Sequence, residues 1–189
     1  MMLSTKQIVK IAWKNGFVIP AFNIPYLPMV KPVIDAVRDE NSFALVQVAR
    51  IEWERIESKG PKAVYDEYQS WKDINHTRLH LDHVPVIDED NNKVDYLNII
   101  NEAIDIGFES VMIDASRLPL EENIEITKKV CTLAHQAGIP CEAELGAIFG
   151  HESGPIPPYE EIFKSGKGFT KVDDAAKFVV ETECDWLSI

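Results

Sequence analysis

An alternation constrains this chain more than any single motif. Short apolar runs recur along it at Phe17–Phe22, Phe43–Val48, Arg78–Leu81, Ser110–Ile113 and Pro140–Leu145, and a sixth opens at Trp186 and reaches Ile189. Amphipathic stretches of helical spacing lie between them, at Val30–Asp39, Asp95–Ile106, Glu121–Ala137 and Val172–Thr182. Gly107 and Gly138 stand where two of these helices should stop, and Asp173 and Asp174 fall in the first turn of the last, where the helix dipole favours acids. Strands that alternate with helices predict βαβ units, hence an α/β fold with a parallel sheet and right-handed crossovers. The pattern gives five complete βα steps and the start of a sixth strand, read as one domain over residues 1–189. Two architectures satisfy it: an open doubly wound sheet, and an unfinished (β/α)8 barrel. A closed barrel usually takes about 250 residues, against 189 here. In both architectures function gathers at the C-terminal ends of the strands.

Composition removes some classes of function. Nineteen Lys and Arg against 31 Asp and Glu leave a net charge of −12, the wrong sign for a nucleic-acid surface or an anionic membrane. No apolar stretch approaches the ~20 residues of a membrane span, and Met1–Lys10 lacks a signal-peptide core. The three cysteines, Cys131, Cys141 and Cys184, form no C-x-x-C pair and are odd in number. They are expected to be free, packed thiols, which places the chain in the reducing cytoplasm.

The strand-end rule then selects residues. Asn23 follows strand one, Asp82 and His83 follow strand three, Asp114 and Ser116 follow strand four, and Glu142 and Glu144 lie on strand five. Buried strands normally avoid charge. Four acids and a histidine on one rim suit a divalent metal such as Zn²⁺, or acid–base chemistry. Plainer readings stand beside this one. Asp114 with Ser116 would cap the next helix, Glu142 and Glu144 would share a solvated face, and His83 would be structural. His80 is expected to pack or hydrogen-bond, and His76 and His135 to be structural or exposed. The loop Gly150–Pro155, with His151 and Glu152, has the composition of a lid, and Gly166 with Gly168 gives only a weak anion-nest signal.

Taken in order, Ala21-Phe22-Asn23, Leu79-His80-Leu81-Asp82-His83, Ser110-Val111-Met112-Ile113-Asp114-Ala115-Ser116 and Glu142-Ala143-Glu144-Leu145-Gly146 resemble the class II, zinc-dependent ketose-bisphosphate aldolases. Fructose-bisphosphate aldolase is the leading member of that family. The resemblance spans nearly the whole chain and implies a TIM barrel, here incomplete at about five and a half βα units. It implies glycolytic carbohydrate chemistry: reversible cleavage of a phosphorylated ketose to dihydroxyacetone phosphate and an aldehyde, in a family that is usually homo-oligomeric. It implies that His83 is a ligand of the catalytic Zn²⁺, that Asp114 and Glu144 hold a second or alternative divalent metal, and that Asp82 handles the C4 hydroxyl proton. It implies further that Glu152 moves the proton on the dihydroxyacetone-phosphate carbon and that Asn23 contacts substrate.

The chain also departs from the family. Gln47 is followed by Val48 and Ala49 rather than by a serine two positions on, with Arg50 as a partial replacement. Val84 and Ala115 stand where glycine is common, and Ile51–His76 is longer and more charged than in the best-known members. The family's second and third zinc histidines and its phosphate-binding segments would follow Ile189. The expectation is therefore an aldolase whose chain is cut, with impaired activity. The alternative is a non-catalytic partial barrel that serves as a binding or assembly module.

Overall fold

A computed structural model describes residues 3–146, 158–166 and 168–189. Six strands form one sheet: β1 (Ala21–Asn23), β2 (Ala44–Ala49), β3 (Thr77–Pro85), β4 (Ser110–Asp114), β5 (Cys141–Glu144) and β6 (Trp186–Ser188). They pair in chain order, β1-β2-β3-β4-β5-β6, and every pairing is parallel. That order decides between the two architectures. A doubly wound sheet reverses direction part-way and puts helices on both faces. An unbroken order winds one way, and the sheet curls into part of a barrel.

Eight α-helices lie among the described residues: α1 (Thr5–Asn15), α2 (Val30–Asp39), α3 (Arg50–Glu54), α4 (Pro61–Trp71), α5 (Tyr96–Ile106), α6 (Leu120–Gln136), α7 (Tyr159–Ser165) and α8 (Val172–Thr182). The helical spacing locates α2 and α8 without error, and α5 and α6 to within a residue at each end. It does not foresee α1, α3, α4 or α7. α1 begins with a capping box in which the Ser4 hydroxyl accepts from the Gln7 N–H and the Gln7 side chain accepts from the Ser4 N–H. The charged stretch Ile51–His76 holds all of α3 but its first residue, and the whole of α4.

Alternation along the strands sends one set of side chains toward the helices. Val46 and Val48, Leu79 and Leu81, Val111 and Ile113, and Cys141 and Ala143 are all buried. They share one core cluster with Ile34 of α2, Val64 and Tyr68 of α4, Ile100 of α5, Ile124 and Val130 of α6, and Phe178 of α8. Each large aliphatic residue buried there contributes roughly 1.5–3 kcal/mol relative to exposure. α5 ends at Gly107, whose φ of +107° excludes most side chains, and a Cβ there would meet the Tyr65 ring at 3.2 Å. The three cysteines are free and buried.

The first apolar run is a correction. Only its last part is strand, because β1 begins at Ala21 and Phe17 and Val18 lie outside the sheet, 71% and 90% exposed. α1 lies against the N-terminal end of the concave face. Val9, Ala12 and Trp13 line a cavity of about 380 Å³ there with Leu45, Gln47, Asp82, Glu142 and Trp186. A polar knot ties this end together. Asp185, just before β6, accepts from the Cys141 N–H (2.9 Å), contacts His135 Nε2 of α6 (2.8 Å) and pairs with Lys6 Nζ of α1 (2.5 Å). Burial pushes the Asp185 carboxyl up, but the Lys6, Cys141 and His135 contacts outweigh it and hold the group below its ordinary range. No helix among the described residues is long and apolar enough to cross a membrane.

Candidate active site

The site depends on an irregularity in β3. Neighbouring residues on a strand point to opposite faces, so Asp82 and His83 should diverge. They lie within β3 rather than after it, and the register against β4 slips between Leu81 and Val84. His83 has φ +41°, a left-handed conformation that is costly for a residue with a Cβ. Such a bulge re-aims a side chain. Here it swings the imidazole to the rim, where the charge of Asp82 acts on it as well.

His83 Nε2 lies 3.0 Å from Asp114 Oδ2, and His83 Nδ1 lies 3.5 Å from Glu144 Oε2. Asp114 and Glu144 are the last residues of β4 and β5, and both are buried. One ligand atom from each of the three residues falls within 4.8 Å of the others. The resemblance divides these residues between two metal positions; here their side chains converge on one point. Asp114 Oδ1 accepts from the Ser116 N–H at 2.9 Å, but α6 starts only at Leu120, so this is a tight turn and not a helix cap. It leaves Oδ2 facing His83.

Burial disfavours the charged imidazole. The hydrogen bond and charge of Asp114, with the charges of Glu144 and Asp82, outweigh it and raise His83 to about 9. Burial likewise pushes Asp114 up, and its bonds to His83 and Ser116 reverse this to hold it below its ordinary range. A pocket that keeps a proton on histidine to balance two buried carboxylates suits a divalent cation. One nitrogen and two carboxylate oxygens are an appropriate donor set, with positions left for substrate or water.

The strand end that carries Glu144 is held from behind. Asn123 of α6 is buried and donates to the Glu144 carbonyl at 3.0 Å, while the Thr127 hydroxyl donates to Asn123 Oδ1 at 2.9 Å and fixes the amide. The Leu145 N–H donates to the Ser188 carbonyl at 3.0 Å. Gly146 follows at φ +99°, and a Cβ there would meet Thr170 Oγ1 at 2.8 Å.

A second network adjoins this cluster. Asn23 Nδ2 donates to Asp82 Oδ2 at 2.8 Å and approaches Glu52 Oε2 at 3.4 Å, and Asn23 Oδ1 accepts from Gln47 Nε2 at 2.9 Å. Asn23, expected to contact substrate, thus has its amide committed to Asp82. Glu52 was not anticipated. The available signal was its place three residues beyond the strand end, where a glutamate reaches back to the N-cap amide. It accepts from the Ala49 N–H at 2.8 Å. Burial raises the Glu52 carboxyl, the Ala49 and Asn23 contacts oppose that, and the charge of Asp82 adds to it; the net shift is upward.

Two expectations fall elsewhere. Glu142 lies apart from the His83–Asp114–Glu144 cluster, 3.4 Å from His80 Nε2, and the buried His80 contacts Ser110 Oγ at 2.8 Å through Nδ1. Glu152, His151 and Lys167 lie outside the described residues.

The family model for class II fructose-bisphosphate aldolase matches residues 3–189. The chain belongs to that family. Among its curated relatives, the fructose-bisphosphate aldolase of Staphylococcus epidermidis is 30% identical over 191 positions, covering 99% of this chain and 60% of that protein. The fructose-bisphosphate aldolase of Helicobacter pylori is 30% identical over 193 positions, covering 100% of this chain and 56% of that protein. Among solved structures, the YdjI aldolase from Escherichia coli K12 aligns at a TM-score of 0.73 with 26% identity, over 99% of this chain and 61% of that one. The fructose-bisphosphate aldolase of Campylobacter jejuni, 21% identical at a TM-score of 0.70, supports the fold. This aldolase-family chain therefore spans 60% or less of the length of these two curated relatives.

Proposed function

We propose that the rim of this aldolase-family chain is the metal-binding and acid–base half of a class II aldolase site. Its reaction would be reversible cleavage of a phosphorylated ketose such as fructose 1,6-bisphosphate. The observation that carries the reading is the convergence of His83, Asp114 and Glu144 on one point, next to an Asp82 that Asn23 holds in place. Zn²⁺ is the proposed ion, and His83, Asp114 and Glu144 would hold it. When bound, it supplies Lewis-acid polarisation of the ketose carbonyl and neutralises charge left by cleavage.

The protein groups account for the protons. Asp82 takes the proton of the C4 hydroxyl, the C3–C4 bond breaks, and its electron pair passes to the carbon next to the carbonyl. Glu152, in the role the resemblance gives it, returns a proton to that carbon. No lysine Schiff base is needed. Three buried free thiols suit the cytoplasm; the neighbouring Cys131 thiol and burial push Cys141 up, and burial pushes Cys184 up, which favours the unreactive thiol form.

The test is fructose 1,6-bisphosphate cleavage with added Zn²⁺, followed by coupled oxidation of NADH. The 189 residues alone are expected to bind Zn²⁺ with little turnover. A protein of the relatives' length that carries them is expected to show chelator-sensitive cleavage that Asp82→Asn abolishes. Cleavage that survives chelation, or a chain that takes up no Zn²⁺, would overturn the reading.

A further inference from the structure

Glu52 is a buried carboxylate to which the proposed chemistry gives no task. It is the third residue of α3 and only 6% exposed. Burying a carboxylate is expensive unless its oxygens are satisfied. One backbone amide, from Ala49, meets Oε2 at 2.8 Å. The same oxygen lies 3.4 Å from the side-chain nitrogen of Asn23.

The Asn23 amide has two orientations, related by a flip that exchanges oxygen and NH2. Its neighbours decide between them. Gln47 Nε2 supplies a donor to one end, and two carboxylates, Asp82 and Glu52, require donors from the other. A flipped amide would turn its carbonyl oxygen on both carboxylates and its NH2 on the Gln47 NH2. The two carboxylates differ in what holds them. Glu52 is buried and tied to the backbone of β2, whereas among the described residues the Asp82 carboxylate accepts its side-chain hydrogen bond from Asn23. Order thus runs from Glu52 through Asn23 to Asp82.

We infer that Glu52 is a positioning residue, whose contact with Asn23 holds the amide that orients the Asp82 carboxylate at the rim. The role given to Asp82 rests on the proposed function; the amide geometry does not. Burial at this site is consistent with the inference, because a carboxylate with few competing donors keeps its contact with Asn23.

Side-chain amide spectra of the ¹⁵N-labelled chain test this directly, with the Asn23 resonances identified by their loss in Asn23→Asp. Glu52→Ala and Glu52→Gln are both expected to move the Asn23 NH2 pair and the Gln47 pair coupled to it. The isosteric Gln variant supplies the readout should the Ala variant fold poorly. In a protein of the relatives' length, Glu52→Ala is expected to lower kcat about tenfold, the worth of one oriented hydrogen bond, with KM changed less than twofold. Glu52→Gln, which keeps an acceptor, restores most of that loss. In an Asn23→Ala background Glu52→Ala should cost nothing further. Unmoved Asn23 resonances in both variants, or kcat losses that multiply in the double variant, would overturn the inference. Absence of cleavage in the wild-type protein would sink the proposed reaction and leave the amide spectra to judge Glu52.

Discussion

Raising the pH should make this site bind metal more tightly and, without metal, make the chain less stable. Both effects follow from His83. Its imidazole lies between Asp114 and Glu144 and holds its proton up to about 9, against an ordinary 6.5. A ligand nitrogen must lose that proton before it can coordinate. Between pH 7 and 9 each ion bound should release close to one proton, and affinity should rise about tenfold per pH unit, or roughly 100-fold across the window. In the metal-free chain the sign reverses. A raised folded value means that the stabilisation is complete below 6.5 and is lost as pH climbs through about 9. The displacement corresponds to about 3 kcal/mol. Calorimetric titration with Co²⁺ or Zn²⁺ at pH 7, in two buffers of different ionisation enthalpy, counts the protons released. Urea melts of chelated protein from pH 6.5 to 9.5 follow the stability. Asp114→Asn removes the strongest of the proton's attractions and should shift the metal-free transition toward neutral pH. Affinity that is flat between pH 7 and 9, with no proton release, would show that His83 is already neutral and would refute the electrostatic reasoning.

Two further outcomes are expected. Asp185→Asn keeps an oxygen for the Cys141 N–H but removes the charge that pairs with Lys6. It should cost about 2 kcal/mol in a neutral urea melt. Because the Asp185 value is lowered in the fold, this advantage is present above about 3.8 and fades as pH falls below it, so wild-type and variant melts should converge in acid. At the bulge, His83→Gly should be more stable than His83→Ala by about 1 kcal/mol, since only glycine takes φ +41° without strain. Equal stabilities in denaturant would mean that β3 straightens once the imidazole is gone.

The strand sequence was legible because each outward strand residue had to be apolar, and such runs as Ser110–Ile113 announce themselves. α2 and α8 were legible for the same reason at helical spacing. α1 left a fainter signal, confined to the Ser4 and Gln7 caps, and its exposed Trp13 and Ile11 blur the amphipathic pattern. The rim acids Asp114 and Glu144 could be found because charge at the end of a buried strand needs a reason. The joint service of Asp82 and His83 could not be read from alternation, which sends neighbours to opposite faces; only a register slip in three dimensions brings them together. Glu52 was hidden for a different reason. Its task comes from a helix of five residues, too short to leave a periodic pattern.

The unbroken strand order has a consequence for how the site comes into being. Each successive unit lays its polar residue beside the one before: Asn23, then Gln47 and Glu52, then Asp82 and His83, then Asp114, then Glu144. Each strand pairs only with the one made just before or just after it, so no step has to wait for a distant part of the chain, and the cost of closing each loop grows only slowly with its length. As a polypeptide leaves the ribosome from its N-terminus, the Asn23–Asp82 network has all its parts once β3 emerges, and the metal ligands have theirs once β5 does. The rim is therefore written in the order of synthesis, and an ion able to bind it can reward folding before the sheet has finished growing.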